Sequence, residues 1–196
     1  MSPGENRLRF ESIVLSVNWS PQQTLLVGLN NGFVQEFDSL QDYAMIREKE
    51  CHSKGVKAIK SLGLGTMITA SYDHKIRVWM AEIPQSWILS QTYEIHSEGV
   101  WFLQTLPDIK WVASCGLDGK IAVMDYTDVE NLQIIYIIQG NNKRNNKAQK
   151  LTHNYSALIG KFFYSVTKIS HVNSGVDLSL VLFLRHEKKT FLLVKK

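Results

Sequence analysis

The chain has 196 residues, 44% of them hydrophobic, and a formal net charge of +4 at pH 7. This length and apolar content suit a folded core, whereas the charge excess is too small for an extended nucleic-acid-binding face. Apolar runs such as 134–138 and 179–184 are far shorter than the roughly 18 residues of a membrane-spanning helix, and the first residues lack the apolar centre of a signal peptide. We therefore expect a cytoplasmic protein.

Three segments share one pattern along the chain: NNGFVQEFD at 30–38, YDHKIRVWM at 72–80 and LDGKIAVMD at 117–125. Each begins with an Asn or Asp at a predicted turn and continues as a strand in which apolar residues alternate. The turn residues are Asn31, Asp73 and Asp118, so the repeat measures 42 residues in one interval and 45 in the next. This spacing indicates a repeated small antiparallel sheet.

A second pattern precedes two of these turns. HSKGVKAI begins at His52 and HSEGVWFL begins at His96, 44 residues later. Two alternating stretches follow each of these segments before the Asp turn, so each unit is predicted to hold three or four short strands. Because such a unit cannot bury both faces of its own sheet, units of about 44 residues must stack, as the blades of a β-propeller do.

Residues 51–80 resemble the tryptophan-aspartate (WD) repeat, whose unit runs from a Gly-His pair to a Trp-Asp pair. This segment begins with Cys51-His52 and ends with Trp79-Met80, so one residue of each pair is retained. The segments 95–125 and 13–38 are more divergent copies. The resemblance predicts an all-β fold with three clear blades, at about 12–45, 46–90 and 91–140.

Beyond residue 140 the composition changes. Residues 141–150, NNKRNNKAQK, are basic and rich in asparagine, which predicts a linker. Residues 151–196 contain β-prone runs, which predict either a degenerate fourth blade or an unrelated tail. Since such rings usually have four to eight blades, we expect an incomplete ring. A truncated longer propeller is the favoured explanation, and the alternatives are a ring completed by a second copy or another protein and a compact four-bladed form.

The WD resemblance also implies a hydrogen-bonded network inside each blade, formed by the His, the turn Asp, a strand hydroxyl and the Trp. In the second blade these residues would be His52, Asp73 and Trp79, with Ser71 as the favoured hydroxyl and Thr69 as the second candidate. A buried imidazole needs a partner for each ring nitrogen, and a carboxylate at a strand turn can accept backbone N–H groups.

The third blade has a reduced version of this network. His96 and Asp118 persist, but Gly116 takes the place of Ser71, and Met124 takes the place of the tryptophan. We therefore expect only a His–Asp pair in this blade.

A Ser71, His52 and Asp73 hydrolytic triad is the alternative interpretation. It is disfavoured because Ser71 lies within an alternating strand, whereas a nucleophilic serine usually sits on a sharp exposed turn. The His–Asp spacing also recurs in the third blade without that serine. Phosphate-binding loops and paired-histidine metal motifs are missing from the sequence, and Cys51 and Cys115, its two cysteines, are too few for a zinc cluster. We therefore predict no catalytic site, cofactor or metal.

In the WD family, the loops that carry the His and the turn Asp surround the central channel and usually bind partners. The positions predicted to be exposed there are Asn30, Lys57, Tyr72, Trp101 and Leu117. Exposed aromatic residues anchor protein interfaces, although Trp101 could equally belong to the core. The resulting hypothesis is a non-enzymatic scaffold or adaptor that binds other proteins and no small-molecule substrate.

A finer resemblance covers residues 14–142, which are similar to blades of WD-repeat proteins that also carry a FYVE finger. It implies a role in endosomal or signalling assemblies. The finger itself is absent, because it needs more cysteines than the sequence has.

The alternative function is that of a basic accessory protein in an RNA-containing complex. The residues that would contact phosphates are Lys143, Arg144, Lys147 and Lys150. Aromatic residues are not interleaved with them to stack on bases, so nucleic acid is the less favoured partner.

Overall fold

The structure is a computed structural model that describes residues 8–63, 65–82, 86–139, 181–186 and 189–194. By its internal contacts the chain divides into two units, Met1–His153 and Asn154–Lys196. The predicted linker at 141–150, with the basic residues of the RNA hypothesis, lies outside the described residues. In the described part of the chain, no helix is long and apolar enough to span a membrane.

Three antiparallel sheets of four strands each make up the described part of the first unit, and the strands of each sheet are arranged in sequence order. The first sheet contains β1 (Val14–Trp19), β2 (Thr24–Leu29), β3 (Phe33–Asp38) and β4 (Ala44–Glu50). The second sheet contains β5 (Val56–Gly63), β6 (Thr66–Ser71), β7 (Ile76–Glu82) and β8 (Ser86–Tyr93). The third sheet contains β9 (Val100–Leu106), β10 (Trp111–Gly116), β11 (Lys120–Asp125) and β12 (Gln133–Gln139), with a 3-10 helix at Pro107–Ile109.

The predicted all-β fold of WD-type blades is confirmed by these sheets. The first two sheets extend a few residues beyond the predicted blade limits of 45 and 90, to Glu50 and Tyr93. The outermost strand of each of these two sheets therefore includes residues that the sequence pattern assigned to the following blade.

The sheets stack as blades whose first strands are neighbours, since β1 contacts β5 and β5 contacts β9. Ser16 on β1 donates a hydrogen bond to the Val56 carbonyl, and Asn18 accepts one from the Ser61 N–H, so the first and second blades are also joined by polar contacts. The apolar layer between these two blades includes Leu26, Val34, Ile59, Met67, Trp79 and Trp87. The layer between the second and third blades includes Ile68, Val78, Val100, Leu103, Val112 and Met124.

A separate apolar cluster lies on the other face of the first sheet. Val27, Leu29 and Phe37 form it, and Leu8 and Phe10 pack against them. The rings of Phe10 and Phe37 meet edge to face, with their centroids 5.9 Å apart. The segment before β1 therefore covers part of the first blade's outer face.

The turns between the second and third strands of the blades share one backbone conformation. Gly32, His74 and Gly119 follow the turn residues Asn31, Asp73 and Asp118, and their φ angles are +92°, +72° and +74°. Positive φ suits glycine and strains most other residues. His74, which is exposed, is the non-glycine member of this set.

In the second unit, the structure describes a hairpin of β13 (Val181–His186) and β14 (Lys189–Val194). The two strands pair antiparallel along their full length, from Val181 opposite Val194 to His186 opposite Lys189. The other β-prone runs predicted between 151 and 180 lie outside the described residues.

Candidate functional site

Four side chains of the second blade form a continuous buried network. His52 Nδ1 lies 3.0 Å from both carboxylate oxygens of Asp73, and His52 Nε2 lies 2.8 Å from Thr69 Oγ1. The indole N–H of Trp79 donates to the same hydroxyl at 3.0 Å. Since a carboxylate only accepts, Nδ1 carries the imidazole proton, and Thr69 donates to Nε2. The network therefore links the loop before β5 to strands β6 and β7.

Ser71, the favoured hydroxyl of the sequence analysis, does not join His52 to Trp79. Its Oγ donates to the Lys54 carbonyl at 3.0 Å and accepts the Asp73 N–H at 3.1 Å. Ser71 and Thr69 lie on the same face of β6, because residues two apart in a strand point the same way. Thr69 is the one that lies diagonally across from Trp79, which pairs with Met67, so Thr69 is within reach of the indole.

The third blade contains more of the network than a His–Asp pair. His96 Nδ1 lies 3.1 Å from Asp118 Oδ1, and His96 Nε2 lies 2.9 Å from Ser114 Oγ. The expectation of a blade without a hydroxyl was wrong because it compared Gly116 with Ser71. Ser114 stands four residues before the turn Asp, as Thr69 does in the second blade.

A cation completes each network, although it comes from different positions in the two blades. Arg77 donates to the Cys51 carbonyl and lies 3.6 Å from an Asp73 oxygen. In the third blade Lys120 donates to the Ile95 carbonyl at 3.4 Å and lies 3.7 Å from an Asp118 oxygen. In both cases the cation contacts the carbonyl just before the His. The sequence pattern missed this role, because the two cations are not at equivalent positions.

Burial controls the charge state of both imidazoles. Desolvation lowers the pKa of His52 below its usual 6.5, although its hydrogen bond to Asp73 acts in the opposite direction. The pKa of His96 is lowered for the same reason, against the effect of Asp118. Desolvation raises the pKa of Asp73, but the hydrogen bond from His52 and the backbone N–H of Lys75 outweigh it and bring the value to about 2. Both blades therefore contain a neutral His beside an ionised Asp.

The arrangement of Ser114, His96 and Asp118 resembles the order of groups in a hydrolytic triad. Ser114 is completely buried in the interior of β10, and the His96 side chain is buried as well. A nucleophilic hydroxyl needs an exposed position with oxyanion donors beside it. The buried position of Ser114 instead suits a structural hydrogen bond to His96. The alternative triad of the second blade is not assembled, because Ser71 bonds elsewhere.

The loops above these networks enclose an open groove of about 600 Å³. Three of the five predicted partner-binding residues line it: Asn30, Tyr72 and Leu117. Six further residues of the same loops line the groove, and the ionisable side chains among them, which were not predicted as partner-binding residues, are Lys54, His74 and Glu98. The signal for Lys54 and Glu98 was the repeated His segment itself, because these two residues occupy equivalent positions in HSKG and HSEG.

Lys57 and Trp101, the other two predicted residues, meet at Tyr72. The rings of Tyr72 and Trp101 contact edge to face at a centroid distance of 5.3 Å. Lys57 Nζ lies 4.7 Å from the Tyr72 centroid and 4.5 Å from the Trp101 centroid. Trp101 is half-buried. The five predicted residues therefore belong to one surface, which we call the loop-face groove.

Two glycines bring the blades together at this groove. The N–H of Tyr72 donates to the Gly55 carbonyl at 3.2 Å, and the N–H of Leu117 donates to the Gly99 carbonyl at 2.9 Å. A Cβ on Gly99 would lie 2.9 Å from the Tyr72 ring, and one on Gly55 would lie 3.0 Å from the side-chain oxygen of Asn30. The glycine of each His segment therefore makes room for the residue before the turn of the preceding blade.

No cluster of three metal-ligating side chains occurs among the residues that the structure describes. The described parts of the loop-face groove therefore give no candidate metal centre, and the sequence-based expectation about cofactors stays a prediction.

Comparison with known proteins supports the blade assignment. The family described as WD domain, G-beta repeat, matches residues 44–80 and 87–125. A chain of the crystal structure titled "Crystal Structure of Mitotic Checkpoint Complex" is similar in fold, with a TM-score of 0.58 and 24% identity. The similarity covers 69% of this chain and 40% of that chain, so this chain spans less than half of the length of the matched one. A search of curated proteins found no match. The repeat spacing, the sheets and the family match together identify residues 44–80 and 87–125 as WD repeats.

Proposed function

We propose that this protein is a non-enzymatic scaffold or adaptor that binds other proteins at the loop-face groove. The contact residues would be Asn30, Lys57, Tyr72, Trp101 and Leu117. The buried hydroxyls of the His–Asp networks serve stability in this proposal, and the protein has no catalytic role.

The observation that carries the proposal is the aromatic pair of Tyr72 and Trp101 at the groove. Both side chains are half-buried, and their rings hold each other edge to face. Aromatic side chains that are already fixed offer large contact areas at a low entropic cost, and they are enriched in binding hot spots. Leu117 adds an apolar contact on the third blade.

The cellular setting is a further part of the proposal. We place the protein in the cytoplasm, and the resemblance to WD-repeat proteins with a FYVE finger favours endosomal or signalling assemblies. A second copy or another protein that completes the ring of blades would belong to the same assembly.

The test compares proteins that co-purify with the full chain and with two variants from cells. Leu117→Arg places a charge in the groove, whereas Glu130→Arg changes an exposed loop residue between β11 and β12, at the opposite end of the blades. The recovered amount of specific partners should fall about tenfold with Leu117→Arg, the loss expected for a hot-spot residue. It should be unchanged with Glu130→Arg. Direct binding of the purified partner would then be measured. Equal recovery of all proteins by the three chains would contradict the proposal.

A further inference from the structure

Lys57 presents a positive charge beside the loop-face groove. Its ammonium lies against the rings of both Tyr72 and Trp101, at 4.7 Å and 4.5 Å from their centroids. Contacts of an ammonium with two aromatic faces are favourable and fix a side chain that is otherwise flexible. The cation therefore has a defined position before any partner arrives.

Neighbouring charges in the described part of the chain do not neutralise Lys57. Lys75 is paired with Glu94 at 2.8 Å, and the Asp73 carboxylate is occupied by His52 and Arg77. Among the described residues, the ion pairs of the protein do not include Lys57. The rings of Tyr72 and Trp101 attract the charge of Lys57 but accept no strong hydrogen bond.

Lys54 and Glu98, which line the groove, carry opposite charges, so the excess positive charge of this surface comes from Lys57 beside Tyr72. The ionisable residues that line the groove are Lys54, His74 and Glu98, and Lys54 likewise has no carboxylate partner in the described part of the chain. An ammonium forms short, strong hydrogen bonds with carboxylates, and complementary charges favour encounter with the right partner. A partner with a carboxylate fits this surface better than a basic or purely apolar one.

We propose that the loop-face groove binds an acidic peptide segment of a partner protein. An Asp or Glu carboxylate of this segment accepts hydrogen bonds from the Lys57 ammonium, and an adjacent apolar side chain packs against Tyr72 and Leu117. This inference rests on the proposed function, because it names the chemistry of the partner at the same groove.

The first experiment selects peptides from a phage-displayed library of random twelve-residue sequences, with the full chain as the target. Selected peptides should be enriched in Asp or Glu next to an aromatic or branched apolar residue. The strongest peptide is then labelled with fluorescein, and its affinity is measured by fluorescence polarisation.

Three variants of the chain test the role of the cation. Lys57→Gln should weaken binding of the labelled peptide by about tenfold or more, as expected for loss of a charge-assisted hydrogen bond. Lys57→Arg, which keeps the charge and can stack on both rings, should restore most of the affinity. Lys110→Gln is the matched control, because the Lys110 ammonium lies 5.8 Å from the Tyr126 ring at the opposite end of the blades, and it should leave binding unchanged.

A change in the peptide gives a test that does not depend on the folding of a variant. Replacing the selected Asp or Glu by its amide should weaken binding to the unmodified chain about as much as Lys57→Gln does. The amide-containing peptide should bind the Lys57→Gln variant almost as tightly as it binds the unmodified chain, because the two changes remove the same interaction. Additive losses would overturn the inference.

The outcomes separate this inference from the proposed function. Peptides that bind without acidic enrichment and ignore Lys57→Gln, but are lost with Leu117→Arg, would overturn the acidic-partner inference and leave the scaffold in place. A library that yields no peptide sensitive to Leu117→Arg would count against both. Single-stranded RNA that binds the groove more tightly than the selected peptide, with the same dependence on Lys57, would replace the peptide by a nucleic acid.

Discussion

The first and second blades have the same four-stranded topology but different interiors around the turn between the second and third strands. In the second blade, Thr69 and Trp79 stand four residues before and six residues after Asp73, and both belong to the polar network. In the first blade, Val27 and Phe37 stand at the same distances from Asn31. They belong to the apolar cluster that Leu8 and Phe10 complete.

The correspondence between the blades also includes the segment before the first strand of each blade. Leu8, His52 and His96 follow one another at intervals of 44 residues, so an apolar side chain of the first blade corresponds to the imidazoles of the other two. The third blade is intermediate, since it keeps the hydroxyl of Ser114 but has Met124 in place of the tryptophan.

In each blade, side chains fill the space between the segment before the first strand and the second and third strands. Apolar side chains do so in the first blade, and a His–Asp network does so in the second and third blades. Apolar contacts avoid the desolvation of charged groups, whereas a buried His–Asp pair is favourable only when its partners are all present. The polar blades should therefore be more sensitive to the loss of a single group than the apolar blade.

The largest expected effect contrasts the two turn residues. Asp73→Ala leaves the His52 Nδ1–H and the backbone N–H groups of Ser53 and Lys75 without their acceptor, and it should lower the free energy of unfolding by about 2–3 kcal/mol. Asn31→Ala removes one exposed contact with the Phe33 N–H and should cost less than about 1 kcal/mol. Urea unfolding followed by tryptophan fluorescence measures both. Equal losses of unfolding free energy in the two variants would contradict the proposed difference between the polar second blade and the apolar first blade.

A smaller effect separates the two candidate hydroxyls. Thr69→Val keeps the shape of the side chain but leaves His52 Nε2 and the Trp79 N–H unpaired, so it should destabilise by about 1–3 kcal/mol. Ser71→Ala should cost about 1 kcal/mol, because it removes bonds to the backbone at the end of the strand. Unfolding curves for the two variants decide the order, and a larger loss for Ser71→Ala would return that residue to the centre of the network.

Acid should weaken the histidine-containing blades. Because the folded-state pKa values of His52 and His96 lie below 6.5, the unfolded chain binds protons below pH 6.5 that the folded blades do not, and the free energy of unfolding falls as pH falls. Asp73, with a folded-state pKa of about 2 against an ordinary 3.8, adds a loss below pH 3.8. Urea unfolding at several pH values measures the slope.

Two variants sharpen this pH dependence. Phe10→Ala weakens the apolar cluster of the first blade without changing a titrating group, so it should lower stability equally at each pH. His96→Asn should make the slope shallower below pH 6.5, because it removes one of the two buried imidazoles whose pKa is lowered. A protein that becomes more stable on acidification in this range would contradict the neutral state of the buried imidazoles.

The smallest expected effect concerns the shared turn conformation. His74→Gly removes a side chain from a positive-φ position that the first and third blades fill with Gly32 and Gly119. Relief of backbone strain should exceed the entropic cost of the added glycine and raise stability by at most about 1 kcal/mol. The melting temperature of this variant, compared with that of Gly119→Ala, reports the sign. Destabilisation by His74→Gly would mean that the imidazole makes a contact of its own.

Sequence reasoning succeeded where the determinants are local. The strands of the second and third blades follow from alternation of apolar residues, and the turns follow from Asp118 or Asp73 with a residue of positive φ after it. The His–Asp pairing followed from a resemblance and a repeated spacing. The strand pattern does not distinguish Thr69 from Ser71, because both residues satisfy the same alternation and differ only in their distance from Trp79.

The sequence by itself determined the repeat length, the strand pattern and the turn residues, because each depends on neighbours along the chain. The tertiary structure alone decided which hydroxyl His52 meets and that Lys57 contacts two rings. It also decided which cation each network contains, Arg77 in the second blade and Lys120 in the third. These contacts join residues of different strands and blades. They depend on the distances between side chains across the packed sheets, and a local sequence pattern does not encode those distances.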